Sequence, residues 1–462
     1  MMRTKFFART ALGVALAVGV AAGTASPIFA KDKDKPAEAP KLNPSKAFIP
    51  VYVAAKAAIE AGAKRPDVMA SRQAATAAET ELKNAQSKSA KAAAQAKLDA
   101  AVTALGPLLA VEKATVDKAA ATATTADDKV LTGELQLSLG ELSMDSRIKR
   151  QGAQTKLDSG KVAVTEKSKY YMVIGNLSMD LKEYAAARTA FQAASDAGAA
   201  PGEALVSLSD AYLKDNQPAA GLKALQDAVV KAGPAAQEGW IKYGVASAYR
   251  AKMPNEAAMF ANELVNMFPS KENWSLAIAV VRDLNGFQGH DQIALLRLMQ
   301  RTGSFSEERD YVEYVQALSK RGLPGEALKI IDQGVAAGLL KPADEFVSDA
   351  RKEANARVTN DRASLPGQER EARGAAATAA TVTAAADTFL SYDQPAKAEE
   401  LYKIALAKPG VEAARVNLQL GIAQSDQGKW ADAQASFAKV NDTRAPIAQL
   451  WSAYAKSKAA GK

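Results

Sequence analysis

From residue 169 the chain reads KYYMVIGNLSMDLKEYAAARTAFQAASDAG. Tyr171, Ile174 and Gly175 come first, the polar break DLKE follows, and Tyr184, Ala187, Phe191 and Ala194 resume the apolar pattern. Spacings of three and four put Ala187, Phe191 and Ala194 on one side of a helix. The stretch therefore predicts two helices joined by a short turn. Small residues let them approach closely, and one aromatic ring fills the gap. LGELSMD at residues 139–145 returns as IGNLSMD at residues 174–180. Leu139 and Gly140 match Ile174 and Gly175, so the earlier stretch reads as the first helix of a degraded copy. Its second half, IKRQGAQTKLDSG, lacks the aromatic.

The pattern recurs downstream. A unit from Gly202 carries Leu205, Leu208, Ser209, Tyr212, Gly221, Leu225 and Ala228. A looser one from Glu238 carries Ala257, Ala261, Leu264 and Pro269, and one from Glu308 carries Tyr311, Tyr314, Gly322, Ala327 and Ile331. Near the end, Phe389, Ala398, Tyr402 and Ala405 form another unit, and Leu420, Gly421, Gly428, Trp430, Ala433 and Phe437 a last one. Pro218, Pro254, Pro324 and Pro395 occupy one position of the repeat, with Tyr184 and Trp430 in the same slot of two other units. Proline is tolerated in the first turn of a helix, where its missing N–H has no partner to lose. That position should start the second helix of each unit. The arrangement resembles the tetratricopeptide repeat, a helix–turn–helix of about 34 residues, over about residues 133–441. The resemblance implies an all-α solenoid of helical hairpins wound into a right-handed superhelix.

The remaining chain divides around that array. Residues 1–30 have a basic start at Arg3, Lys5 and Arg9, an apolar run from Ala11 to Gly23, and a small residue at Ala30. They read as a signal peptide cleaved after Ala30, with Ala25 as the weaker site. The run is shorter than the roughly 20 residues a membrane span needs. Residues 31–46 are charged and proline-broken, a disordered leader. Residues 47–132 form an alanine-rich region without an aromatic after Tyr52; after an opening helix, an extended helical hairpin broken near Gly106–Pro107 is expected, with disorder as the alternative. The array should occupy 133–341, with a divergent unit around 286–300. The charged stretch 342–378 reads as an exposed helix pair or a hinge, and 379–441 as the C-terminal units. In 442–462, Ile447, Leu450, Trp451 and Tyr454 repeat at i, i+3, i+4 and i+7, a capping helix.

Composition narrows the chemistry. The chain has no cysteine and one histidine, His290. Disulfides, His/Cys zinc sites and Ser–His–Asp or Cys–His catalysis are thereby set aside. His290 sits in the glycine-flanked GFQGHD and is expected to be a solvated turn residue. No Gly-rich phosphate loop occurs in strand context, and no Glu–Ser pair of the kind that opens the catalytic segment of lytic transglycosylases. No catalytic residue, cofactor or metal is expected. The net charge of +8 is mild for this length, and no basic run interleaved with aromatics suggests nucleic acid.

In tetratricopeptide proteins a set of first-helix positions lines the binding groove. The resemblance places Lys169, Met172, Asn176 and Met179 there in one unit, Asp210 and Lys214 in the next, Lys242, Tyr249 and Arg250 in the third, and Arg309, Gln316 and Lys320 in the Glu308 unit. It implies a mixed, somewhat basic groove for an extended segment or an amphipathic helix. The expectation is an exported, non-catalytic scaffold in the periplasm or cell exterior that binds a protein or peptide. The alternative is an envelope-structural component holding anionic polysaccharide or an outer-membrane assembly factor.

Overall fold

The computed structural model describes residues 42–461, and from Pro44 onward they form one compact unit. The expected signal segment and most of the leader lie outside the described residues. Among the described residues there are 22 α-helices and no strand. They run as successive packed helix pairs, an all-α helical-hairpin solenoid.

The chain opens with α1 (Phe48–Gly62), runs out and back as α2 (Pro66–Asn84) and α3 (Lys88–Leu108), and returns as α4 (Ala110–Thr122) and α5 (Ala126–Ser143). Helices α1 and α4 pack on each other and on α5, whereas α2 and α3 pack chiefly on each other. Little bulk is needed between them: Val68, Ala75, Ala78, Ala94 and Leu105 are their buried apolar residues. The hairpin expected from the alanine content is present, but its turn is elsewhere. It falls between Asn84 and Lys88, where the Ser87 side chain caps α3 by accepting from the Ala90 amide. Gly106 and Pro107 belong to the last turn of α3. Asp128, fully buried at the start of α5, fastens the entering chain: it accepts from the Ser45 amide at 2.8 Å and hydroxyl at 2.9 Å, and from the Thr125 amide at 3.0 Å.

Hairpins follow at the repeat interval. They pair α5 with α6 (Ser146–Asp158), α7 (Val164–Asp180) with α8 (Tyr184–Asp196), α9 (Glu203–Lys214) with α10 (Pro218–Ala232), and α11 (Glu238–Arg250) with α12 (Pro254–Met267). Then come α13 (Lys271–Asn285) with α14 (His290–Thr302) and α15 (Glu308–Arg321) with α16 (Pro324–Ala336). The four prolines of the repeat each open a helix, and so do Tyr184 and, further on, Trp430. A residue in the left-handed region turns the chain within each pair, as at Lys182, Asn216, Lys252 and Gly286. The small first-helix residue also has its reason. A Cβ on Gly175 would lie 2.4 Å from the Phe191 ring, and one on Gly244 2.6 Å from Phe260. The ring packs directly on bare backbone.

The repeat is interrupted once. Where a hairpin or hinge was expected, α17 (Glu345–Ala372) runs unbroken for 28 residues, with Pro366 inside it. Pro366 and Gly367, the middle of the charged stretch, thus lie within a helix and not in a turn. Hairpins resume with α18 (Ala379–Ser391) and α19 (Pro395–Leu406), then α20 (Ala413–Ser425) and α21 (Trp430–Phe437), and α22 (Ala445–Ala459) closes the chain.

Helix α22 does more than cap α21. It packs back on α12, α13 and α14. Trp451 is fully buried and donates its indole N–H to the Ala294 carbonyl at 3.0 Å. Tyr454 meets Trp274, Trp430 and Trp451 edge-on. Helix α12 marks the boundary of this closed half: Ala258, Ala261 and Val265 join the core that runs to α22, while Ala257, Phe260 and Leu264 face the core shared with α10 and α11.

Candidate functional site

The first helices of the hairpins share one face from α9 to α15, joined by polar contacts one repeat apart. The Tyr243 hydroxyl on α11 donates to Asp210 on α9 at 3.0 Å. The Asn273 amide group on α13 donates to Glu238 on α11 at 3.1 Å. Arg282 on α13 pairs with Glu313 on α15 at 2.9 Å. The fold-back of α22 meets α12, α13 and α14, while Tyr249, Arg250, Arg309, Gln316 and Lys320 on α11 and α15 stay exposed.

Of the residues expected in the groove, Lys169, Met172, Asn176 and Met179 lie on α7 and the other eight on α9, α11 and α15. Lys169, Asn176, Lys214, Tyr249, Arg250, Arg309, Gln316 and Lys320 are exposed, and Asp210 and Lys242 half-buried. The two methionines differ. Met172 is half-buried against the cluster of Phe191 and Leu208, and Met179, 7% exposed, belongs to that cluster. Met179 is therefore core and cannot contact a partner.

The expected basic character is largely cancelled. Lys169 pairs with Glu166 at 2.8 Å, Lys214 with Asp210 at 2.8 Å, Lys242 with Glu238 at 2.5 Å, and Arg309 with Glu313 at 2.7 Å. Each acid is three or four residues away on the same helix, where such side chains meet. Among the described residues, Arg250 and Lys320 form no ion pair. The Lys242 ammonium and the Asn273 amide hold the Glu238 carboxyl below its ordinary range. Burial and the Asp210 carboxylate push the Tyr243 hydroxyl up. The face is a string of compensated polar groups around the exposed Tyr249 ring, 43% accessible. No family model matches the chain, and no curated protein matches it.

A second polar constellation was not anticipated. Inside the closed half, Arg297 on α14 donates to both Glu326 oxygens, at 2.9 and 2.6 Å, and to Gln419 on α20 at 3.2 Å. The Tyr314 hydroxyl donates to Glu326 at 2.5 Å. Arg301 holds Asp426 through two bonds, and Arg444 pairs with Asp291 at 2.9 Å. Glu399 receives Lys403 at 2.6 Å and Lys429 at 2.7 Å. Burial alone would raise the Glu326 and Glu399 carboxyls. Their cationic partners reverse this, lowering Glu326 and bringing Glu399 down to about 2. A general acid needs the opposite shift, so both read as structural anions.

His290 is not a solvated turn residue. It begins α14, its side chain is 24% exposed, and its Nδ1 lies 3.6 Å from Asp387. Asp387 already accepts from Tyr402 at 2.6 Å and Arg415 at 2.5 Å. Burial pushes the imidazole down to about 4, with Arg415, Arg321 and Arg297 acting in the same direction against Asp387. His290 is thus neutral at pH 7. No group of acidic or histidine side chains among the described residues could hold a metal ion, and no described helix is long and apolar enough to cross a membrane.

Proposed function

We propose that this chain is an exported tetratricopeptide-repeat protein that binds another protein or peptide along the face of its first helices and performs no catalysis. The observation that carries the reading is the cross-linked face from α9 to α15, which keeps Tyr249, Arg250, Gln316 and Lys320 exposed, in a molecule whose last helix folds back on α12, α13 and α14. The repeat signature supports the family: glycine meets the aromatic sixteen positions on in the Gly175–Phe191, Gly244–Phe260 and Gly421–Phe437 pairs. Export rests on the sequence of residues 1–30 and places the protein in the periplasm or outside the cell.

Charge compensation on the face favours a peptide over anionic polysaccharide, which would need a run of unpaired cations. The polysaccharide or outer-membrane assembly reading is the second one. The test is an affinity pull-down from cell-envelope extract, comparing the chain from Lys31 with a Lys242→Glu, Arg250→Glu, Lys320→Glu variant. A protein held by the first and lost by the second supports the reading. Equal recovery overturns the assignment of the face, and retention of glycan instead of protein favours the second reading.

A further inference from the structure

A solenoid must finish both ends with a polar outer surface, because its terminal units have no neighbour to cover them. The C-terminal end does so: α22 buries Leu450, Trp451 and Ala455 and turns Lys456 and Lys458 outward. Among the described residues, the N-terminal end keeps an apolar strip between its charged groups. Helix α1 buries Phe48, Ala55, Ile59 and Gly62 against α4 and α5. Its opposite side carries Pro50, Val53, Ala57 and Ala61, all exposed, on one line at helical spacing. Val53 is 57% accessible and Ile49, on the flank, 44%. Lys46 and Lys64 stand at the two ends of this line and are exposed. Lys56 and Glu60 lie on the flank with Ile49, so the surroundings are net cationic.

We propose that this outer face of α1 docks on an anionic lipid surface, with Ile49, Pro50 and Val53 entering the headgroup boundary and Lys46 and Lys64 meeting lipid phosphates. An apolar strip ended by lysines has the chemistry of a helix lying in a membrane interface. With 15 residues, α1 is too short to span. A second copy fits less well. One such helix presents a strip of roughly 22 by 10 Å, well below the about 800 Å² per partner of a stable protein interface. The inference is independent of the first-helix face.

The test is co-sedimentation with vesicles of phosphatidylcholine alone and of phosphatidylcholine with phosphatidylglycerol. The chain is begun at Lys31, so that the apolar run 11–23 cannot itself insert; the unit from Pro44 is compact by itself. Binding to the anionic vesicles only is expected. Ile49→Glu/Val53→Glu should reduce it by roughly tenfold or more, and Lys46→Glu/Lys64→Glu should weaken it and remove its sensitivity to salt. Far-UV circular dichroism of each variant should match wild type, because these side chains are exposed. The proposal is overturned if wild type stays in the supernatant with both vesicles or if Ile49→Glu/Val53→Glu binds undiminished. A concentration-dependent dimer abolished by Val53→Glu would assign the face to a second copy and overturn it as well.

Discussion

Replacing Gly421 by alanine tests the packing rule on which the repeat rests. The added methyl would lie 2.4, 2.6 and 2.7 Å from three ring atoms of Phe437. The ring cannot swing aside cheaply. It stacks on Trp451 at 6.2 Å between centroids, and Trp451 is fully buried and tied to Ala294. Overpacking of this kind costs about 1–3 kcal/mol. Alanine's better helix propensity offsets up to about 1 kcal/mol, so a net loss of about 1–2 kcal/mol is expected. Gly367 in α17 is the control, since a Cβ there meets nothing within 4 Å. Gly367→Ala should gain about 0.5–1 kcal/mol from propensity alone. Urea unfolding followed by tryptophan fluorescence reads the difference, because Trp274, Trp430 and Trp451 of the four tryptophans surround this packing. A midpoint for Gly421→Ala at or above wild type would refute the argument.

Further outcomes follow from the buried polar groups. Breaking the Arg297–Glu326 pair with Arg297→Met should cost about 3–5 kcal/mol, and adding Glu326→Gln should recover part of it, because the first change leaves a buried charge unpaired; denaturation midpoints of the single and double variants decide. His290 takes its proton in the unfolded chain near pH 6.5 but in the folded one only near 4, so stability should fall by up to about 3 kcal/mol as pH drops across that window. His290→Gln should flatten that slope, and the imidazole's NMR titration checks the value directly. For Asp128, burial would raise the carboxyl, but the Thr125, Ser45 and Thr124 amides hold it well below its ordinary range. Its contribution should be complete above the unfolded value near 4 and fade as pH falls below that. Asp128→Asn should cost about 2 kcal/mol and speed amide exchange in α1 and α5; unchanged exchange there would count against the fastening of Ser45.

The sequence by itself determined the hairpins. Periodic apolar positions, the four prolines at one repeat position, and glycines that admit a ring against backbone are local properties, and the second helices of those units start where these placed them. Most of the expected groove positions were found exposed for the same reason, since they follow from the face of a helix. Pairing was only half legible. The partners of Lys169, Lys214, Lys242 and Arg309 lie three or four residues away in the sequence, yet their pairing became plain only once the helices were built. Met179 shows the limit most clearly. LSMD occurs twice, but α5 ends at Ser143 with Met144 left-handed, while α7 runs on to Asp180 and buries Met179. The flanks decide: Asp145 caps α6 in the first copy, accepting from the Arg147 amide at 2.7 Å, whereas the second copy continues into LKEY. The run of α17 through a missing turn, and the return of α22 to helices some 150 residues earlier, depend on contacts between segments that share no local pattern. Those contacts bury Trp451, neutralise His290 and gather Arg297, Glu326 and Gln419. Only the tertiary structure brings such distant groups together, because burial and charge pairing are properties of neighbours in space.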